Sequence, residues 1–195
     1  MNETTPQIIV IAGPNGAGKT TLAPFLLRDT LGVLEYVNAD PIALGLSGFD
    51  PGSVAIHAGR VMLNRLHDLS AQRRTFAFET TLAAKSYAPW IERLQNRAYR
   101  FQLTFVWLRS ADLAVQRVRE RVRAGGHDVA EDVVRRRFNK GLRNFWKLYA
   151  PLADAWSVYD NSSSPDPVLM ASGGKDRMVE VVEPDYWEEF LRTKS

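Results

Sequence analysis

The segment from Gln7 to Arg28 constrains the fold more than any other part of this chain: an apolar run, a glycine-rich turn and an amphipathic stretch follow one another without a break. Gln7-Ile8-Ile9-Val10-Ile11-Ala12 is largely β-branched and lacks the polar alternation of a half-exposed strand, so it is expected to be buried on both faces of a parallel sheet. Thr20-Thr21-Leu22-Ala23-Pro24-Phe25-Leu26-Leu27-Arg28 has helical apolar spacing, with Pro24 expected to bend or shorten the start. A buried strand that feeds a helix in this way commits the chain to an α/β architecture with helices on both faces of the sheet.

The turn between them, Gly13-Pro14-Asn15-Gly16-Ala17-Gly18-Lys19-Thr20, has the spacing of a phosphate-binding loop. Surrounding a highly charged nucleotide tail calls for fixed donors, and backbone N–H groups serve because they need no side-chain ordering. Gly13, Gly16 and Gly18 let the backbone come close, Lys19 is expected to reach the β- and γ-phosphates, and the Thr20 hydroxyl to bind Mg²⁺. The following helix points its positive end at the anion. The nucleotide site is thus expected over Gly13, Pro14, Asn15, Gly16, Ala17, Gly18, Lys19, Thr20 and Thr21, with ATP or GTP as ligand. A chance glycine-rich turn is the rival explanation, but the buried-type strand before it and the helix after it are the context that confirms such a motif.

Further short apolar strands are predicted at 34–38, 75–79, 103–108 and 156–160, and helices over 52–72, 85–97, 111–124 and 129–149. Val168-Leu169-Met170-Ala171 and Met178-Val179-Glu180-Val181-Val182 flank the turn-forming Gly173-Gly174-Lys175-Asp176, which reads as a hairpin, and Asn161 to Pro167 reads as a surface loop. With 195 residues, 45% of them hydrophobic, the chain can bury one full core but not two. The expected fold is therefore a single P-loop NTPase domain over 1–195: a three-layer α/β sandwich with a mainly parallel five-stranded sheet, a helical lid at about 117–137 and a short C-terminal hairpin.

Three places at the predicted strand ends and the lid carry further chemistry. Asp40 follows the second strand, at the sheet edge where ligands of open α/β folds gather, and is the expected general base for a substrate hydroxyl. With Pro41 after it, Asp40 would equally serve as a helix N-cap. Glu79, Thr80 and Thr81 end the third strand and are expected to contact substrate or the metal's water shell, although the threonines suit a capping role as well. Arg117 and Arg121 share a helix face, as do Arg119 and Arg123, and Arg135-Arg136-Arg137 follows beyond the Gly125-Gly126-His127-Asp128 bend. This suits a lid that closes on ATP and brings two or three arginines to the transferring phosphate, with Arg121 and Arg136 foremost and His127 structural.

Composition removes other classes. Cysteine is absent and the three histidines lie far apart, which argues against disulfides, thiolate chemistry and structural zinc. The apolar run at 8–12 is too short for a membrane span or signal core, so a cytoplasmic location is expected. Residues 117–147 hold ten Lys or Arg against four Asp or Glu, a local excess of six, but these cations sit within helical patterning, which favours small polyanions over nucleic acid. The strand Val106-Trp107-Leu108 ends in Arg109-Ser110, not in the Asp-Glu pair of motor and transporter ATPases. An NTP hydrolase and a regulatory nucleotide-binding module remain the alternatives to a kinase.

Gly13 to Thr20, Asn38-Ala39-Asp40, Phe78-Glu79-Thr80-Thr81-Leu82, and Arg121 through Gly125-Gly126-His127 to Arg136-Arg137-Phe138 together resemble the zeta toxin family of bacterial kinases, in its compact chromosomal branch, over about residues 7–161. The resemblance implies an ATP- and magnesium-dependent kinase that phosphorylates the sugar 3′-hydroxyl of UDP-N-acetylglucosamine, with a small antitoxin protein as partner. On that likeness Lys19 binds phosphate, Asp40 is the base and lid arginines stabilise transfer.

Overall fold

The computed structural model describes residues 5–163 and 166–194. Strand β1 (Gln7–Ala12) forms as its composition dictates, with Ile8 to Ala12 no more than 1% exposed. It lies between β3 (Phe76–Thr80) and β4 (Arg100–Trp107), parallel to both. Adjacent β1 residues point to opposite faces, so their common burial means that helices cover the sheet on both sides. Strand β2 (Tyr36–Val37) pairs with β3 and β5 (Ala155–Asp160) with β4, each in parallel.

The hairpin strands β6 (Val168–Gly174) and β7 (Arg177–Val181) do not stand apart from this sheet. β6 pairs antiparallel with β5, and β7 with β6, giving one seven-stranded mixed sheet in the order β2-β3-β1-β4-β5-β6-β7 where five strands were expected. Burial supplies the reason, because β6 carries Met170 and Ala171 at 0% exposure and the C-terminal helix folds back over the joint. There Trp187 stacks on Trp156 at 5.9 Å, and Phe190 meets Trp107, Phe145 and Trp146. Aromatic pairs of this kind contribute about 0.5–1.5 kcal/mol each beyond area burial.

The helices are α1 (Lys19–Ala23), α2 (Ala39–Leu46), α3 (Ala55–Ala71), α4 (Tyr87–Gln95), α5 (Ala111–Arg123), α6 (Glu131–Asn144), α7 (Ala150–Leu152) and α8 (Pro184–Leu191). α1 continues from Pro24 to Thr30 as a π-helix, with Leu31 N–H donating to the Leu26 carbonyl. Proline cannot donate to the preceding turn, and the wider spacing accommodates that loss. α8 was not foreseen, and Pro184 opens it in the first turn, where a missing N–H costs nothing. β2 is shorter than expected because Asn38 leaves the strand to cap α2. Residues 1–4 and 164–165, from the expected N-terminal segment and surface loop, lie outside the described residues. Asn161, placed in that loop by its sequence, is instead buried. No helix among the described residues is long and apolar enough to cross a membrane.

Candidate active site

The loop from Gly13 to Thr20 leaves the carboxyl end of β1 and enters α1, as the motif requires. The glycines answer to the protein as well as to any ligand. A Cβ on Gly13 would stand 2.2 Å from the Val106 carbonyl oxygen of β4, and one on Gly18, at φ 81°, would stand 2.6 Å from Asn161 Nδ2. That amide donates to the Ala17 carbonyl at 2.9 Å and braces the loop from the end of β5.

Lys19 is 6% exposed, and its ammonium donates to the Pro14 carbonyl at 2.9 Å. Burial pushes its pKa down, opposed by the carboxylates of Glu79 and Asp40. A desolvated ammonium beside the N-terminal end of a helix is chemically suited to an anion. The Thr20 hydroxyl donates to Glu79 Oε2 at 2.9 Å, and the same oxygen accepts from the Tyr36 hydroxyl at 2.6 Å and Asn38 Nδ2 at 3.0 Å. Glu79 Oε1 lies 3.7 Å from the Lys19 ammonium. Glu79 is thus held in one orientation between β2 and the phosphate loop. Burial, then Glu79, drives the Tyr36 hydroxyl well above the usual phenol range, so it stays a donor at neutral pH.

Asp40 does not cap α2. Asn38 does, accepting from Asp40 N–H at 3.0 Å, which leaves the Asp40 carboxylate exposed to the cleft. Nor do Thr80 and Thr81 cap the next helix: α4 starts six residues after Thr81, and Thr80 Oγ1 accepts from Leu82 N–H. Both threonines line the cleft, which has a volume of about 490 Å³ and also takes in Lys19, Asp40 and Glu79.

Of the seven lid arginines, Arg117, Arg121 and Arg137 face this cleft. Arg136, expected there, instead points outward with a 56% exposed side chain near Asp132. The reason is helical phase, since one residue turns the side chain by about 100° and the apolar face of α6, with Val134 and Phe138 buried, fixes which arginine looks inward. Burial lowers the Arg137 pKa while Asp40 raises it. Arg121 Nη2 donates to the His127 carbonyl at 2.7 Å, whereas its buried Nε has no partner among the described residues. Arg119 and Arg135 pair with Glu131, and Arg135 with Asp112, so these arginines brace α5 against α6.

Sequence reasoning missed Tyr36 and Asn161, which reach the site across 43 and 144 residues of chain and belong to no motif. It also missed a cavity of about 630 Å³ on the Gly18–Thr21 side of α1, walled by Leu22, Phe25, Arg117, Tyr159 and Pro167.

The Thr20 hydroxyl, the Glu79 carboxylate and the buried Lys19 ammonium fit a magnesium–nucleotide complex in their chemistry. Comparison with known proteins agrees at the level of fold. Chains of the AvrRxo1-ORF1:AvrRxo1-ORF2 complex are similar over the whole chain, with a TM-score of 0.76 and 15% identity in the crystal structure with sulphate ions. This protein spans 66% of that chain's length. The PezAT toxin–antitoxin system of Streptococcus pneumoniae gives a TM-score of 0.60 at 17% identity, over 83% of this chain and 70% of that one. An uncharacterized protein of Haemophilus influenzae is 28% identical over 132 residues, which are 68% of this chain and 92% of that protein. The AAA_33 family model, an AAA domain, matches residues 8–148, from β1 to beyond the end of α6. The chain therefore belongs to the AAA_33 family, and its fold is the α/β fold of P-loop kinase-like proteins.

Proposed function

We propose that the protein is an ATP-dependent phosphotransferase, similar to the zeta toxins, that phosphorylates a hydroxyl of a small nucleotide sugar such as UDP-N-acetylglucosamine. One observation carries the reading: an exposed carboxylate, Asp40, that caps nothing shares a cleft with the phosphate-loop lysine and three arginines. The phosphate-loop N–H groups and Lys19 would hold the phosphates of ATP over the N-terminus of α1, and the cavity beside Arg117 would take its base, which leaves the γ-phosphate end toward Asp40. The Thr20 hydroxyl and, through water, Glu79 would hold magnesium, which would supply neutralisation of the phosphate charge. Asp40 takes the proton of the acceptor hydroxyl as its oxygen bonds to the γ-phosphorus. The β–γ bridging bond breaks, and its electrons leave with ADP. Lys19, Arg121 and Arg137 stabilise the charge that develops on the transferring group.

The AvrRxo1-ORF1:-ORF2 complex is known with ATP, and both it and PezAT pair the similar chain with a second protein. A small inhibitory partner belongs to the same proposal. The test is incubation with γ-labelled ATP and Mg²⁺, with and without UDP-N-acetylglucosamine or a pool of cell metabolites, followed by mass spectrometry. A new phosphate ester made by wild type and lost in Asp40→Asn is the expected result. Phosphate release that no acceptor from any pool alters would make the protein a hydrolase, and tight ATP binding without turnover would make it a nucleotide-gated module.

A further inference from the structure

β4 runs out into Leu108-Arg109-Ser110, where motor and transporter ATPases carry an acidic pair, and Arg109 borders neither the phosphate cleft nor the cavity beside Arg117. Its contacts lie elsewhere. Nη2 stands 3.3 Å from Asp160 Oδ2, Nε stands 3.3 Å from Glu189 Oε2, and the guanidinium carbon lies 5.1 Å from the centre of the Tyr186 ring. Asp160 closes β5 and is 4% exposed, whereas Tyr186 and Glu189 belong to α8. A planar fork that meets two carboxylates and a ring face at once requires arginine, because lysine offers a single point of charge.

Asp160 carries this anchorage to the carboxyl edge of the sheet. Its Oδ1 accepts from the Ser162 N–H at 2.9 Å and from the Ser162 hydroxyl, and the Arg109 N–H donates to that hydroxyl oxygen at 3.0 Å. The turn from Asp160 to Ser162 is therefore pinned to Arg109 by side chain and backbone together. The Ser162 carbonyl in turn accepts from Arg117 Nη2 at 3.3 Å, and Arg117 borders both the phosphate cleft and the cavity of about 630 Å³. Asn161 has its own anchor: its N–H donates to the Trp107 carbonyl at 3.1 Å while its side chain holds Ala17. One residue of the turn thus serves the phosphate loop and the next serves Arg117.

We propose that Arg109 is a positioning residue for bound nucleotide, and that α8, which lies beyond the matched residues 8–148, sets nucleotide affinity through it. Held by Glu189 and Tyr186, Arg109 fixes the Asp160–Ser162 turn, and the turn fixes the Arg117 guanidinium where the base cavity meets the phosphate cleft. The proposal rests on the ATP reading above, in which that cavity takes the base. Removing Arg109 releases Arg117 but leaves Asn161 on the phosphate loop, so the contribution of the base falls while that of the phosphates stays.

The test uses the full chain with Mg²⁺ and compares, by calorimetry, a non-hydrolysable ATP analogue with inorganic tripolyphosphate, which has no base. Arg109→Gln is expected to weaken the analogue about tenfold, the order of a charge-assisted hydrogen bond, and to leave tripolyphosphate within about twofold. Because Asp160 is buried, losing its cation costs stability, so a second variant works from the α8 side alone. Tyr186→Leu combined with Glu189→Gln keeps the Arg109–Asp160 pair and should weaken the analogue about threefold, again sparing tripolyphosphate. A loss shared equally by the two ligands would overturn the proposal and leave Arg109 a support of the fold as a whole. Unchanged affinity for the analogue in both variants would also overturn it, and would confine Arg109 to tying down α8. Wild type that binds tripolyphosphate as tightly as the analogue would remove the base cavity from the argument, and wild type that binds neither would sink the ATP reading itself.

Discussion

The phosphate loop and the lid face one cleft but are built in opposite ways. The loop is a buried, cross-braced object: Gly13 abuts β4, Asn161 holds the Ala17 carbonyl, and Tyr36 and Asn38 orient Glu79 beside Lys19 and Thr20. The expected lid comprises two amphipathic helices, α5 and α6, joined through Gly125-Gly126, which bury Val118 and Val134 in the core and are tied to one another by solvent-exposed ion pairs among Arg119, Glu131, Arg135 and Asp112. The contrast is a division of labour. A preorganised floor holds charge without reorganising, and α5 and α6 are proposed to serve as a cover that closes when ligand supplies further contacts.

The largest effects should come from the floor. Lys19→Ala is expected to abolish phosphoryl transfer and weaken ATP at least a hundredfold by calorimetry, without lowering the melting temperature, since it removes a desolvated cation. Asp40→Asn should lower turnover by about 10²–10⁴ while the ATP affinity stays within a few-fold, a split that places Asp40 at the acceptor and not at the nucleotide. If both constants fell together, Asp40 would belong to the loop's architecture.

Tyr36→Phe comes next. It strips one of three donors from Glu79 Oε2, so the magnesium concentration for half-maximal rate should rise about tenfold, and stability should fall by about 1–2 kcal/mol. An unchanged magnesium response would reduce Tyr36 to a packing residue.

In the lid, Arg137→Gln is expected to lower turnover about tenfold and Arg136→Gln less than twofold. Equal losses would show that the lid turns α6 on closing and brings both arginines inward.

The smallest effect lies outside the site and serves as its control. Burial opposes ionisation of Asp154, but Lys175 at 2.6 Å, the Phe101 amide and Gln95 outweigh it and hold the carboxyl below the usual range. A depressed folded pKa stabilises above the unfolded value, and that contribution is lost as pH falls through the folded one. Thermal stability should therefore decline below about pH 4 with less slope in Asp154→Asn, while the pH dependence of turnover near neutrality stays the same.

Legibility followed contact distance. The loop was readable because its eight residues are consecutive and their roles follow from backbone geometry. Asp40 and Glu79 were readable as strand-end carboxylates, but the choice between cap and cleft for Asp40 turned on Asn38, two residues before it, taking the cap. The hairpin was legible as a local unit from its turn, and its place as the sixth and seventh strands was not, because that depends on Trp156, Trp187 and Phe190 coming together from separate segments.

By itself, then, the sequence determined the α/β class, the phosphate loop and the two arginine-bearing helices on either side of Gly125-Gly126, each a pattern of neighbours in the chain whose period or spacing states its physics. Only the tertiary structure decided that Glu79 answers to Tyr36, that Asn161 braces the loop, and that Arg137 and not Arg136 looks inward. Those outcomes depend on the rotation of a helix about its axis and on segments up to 144 residues apart meeting at one edge of a sheet.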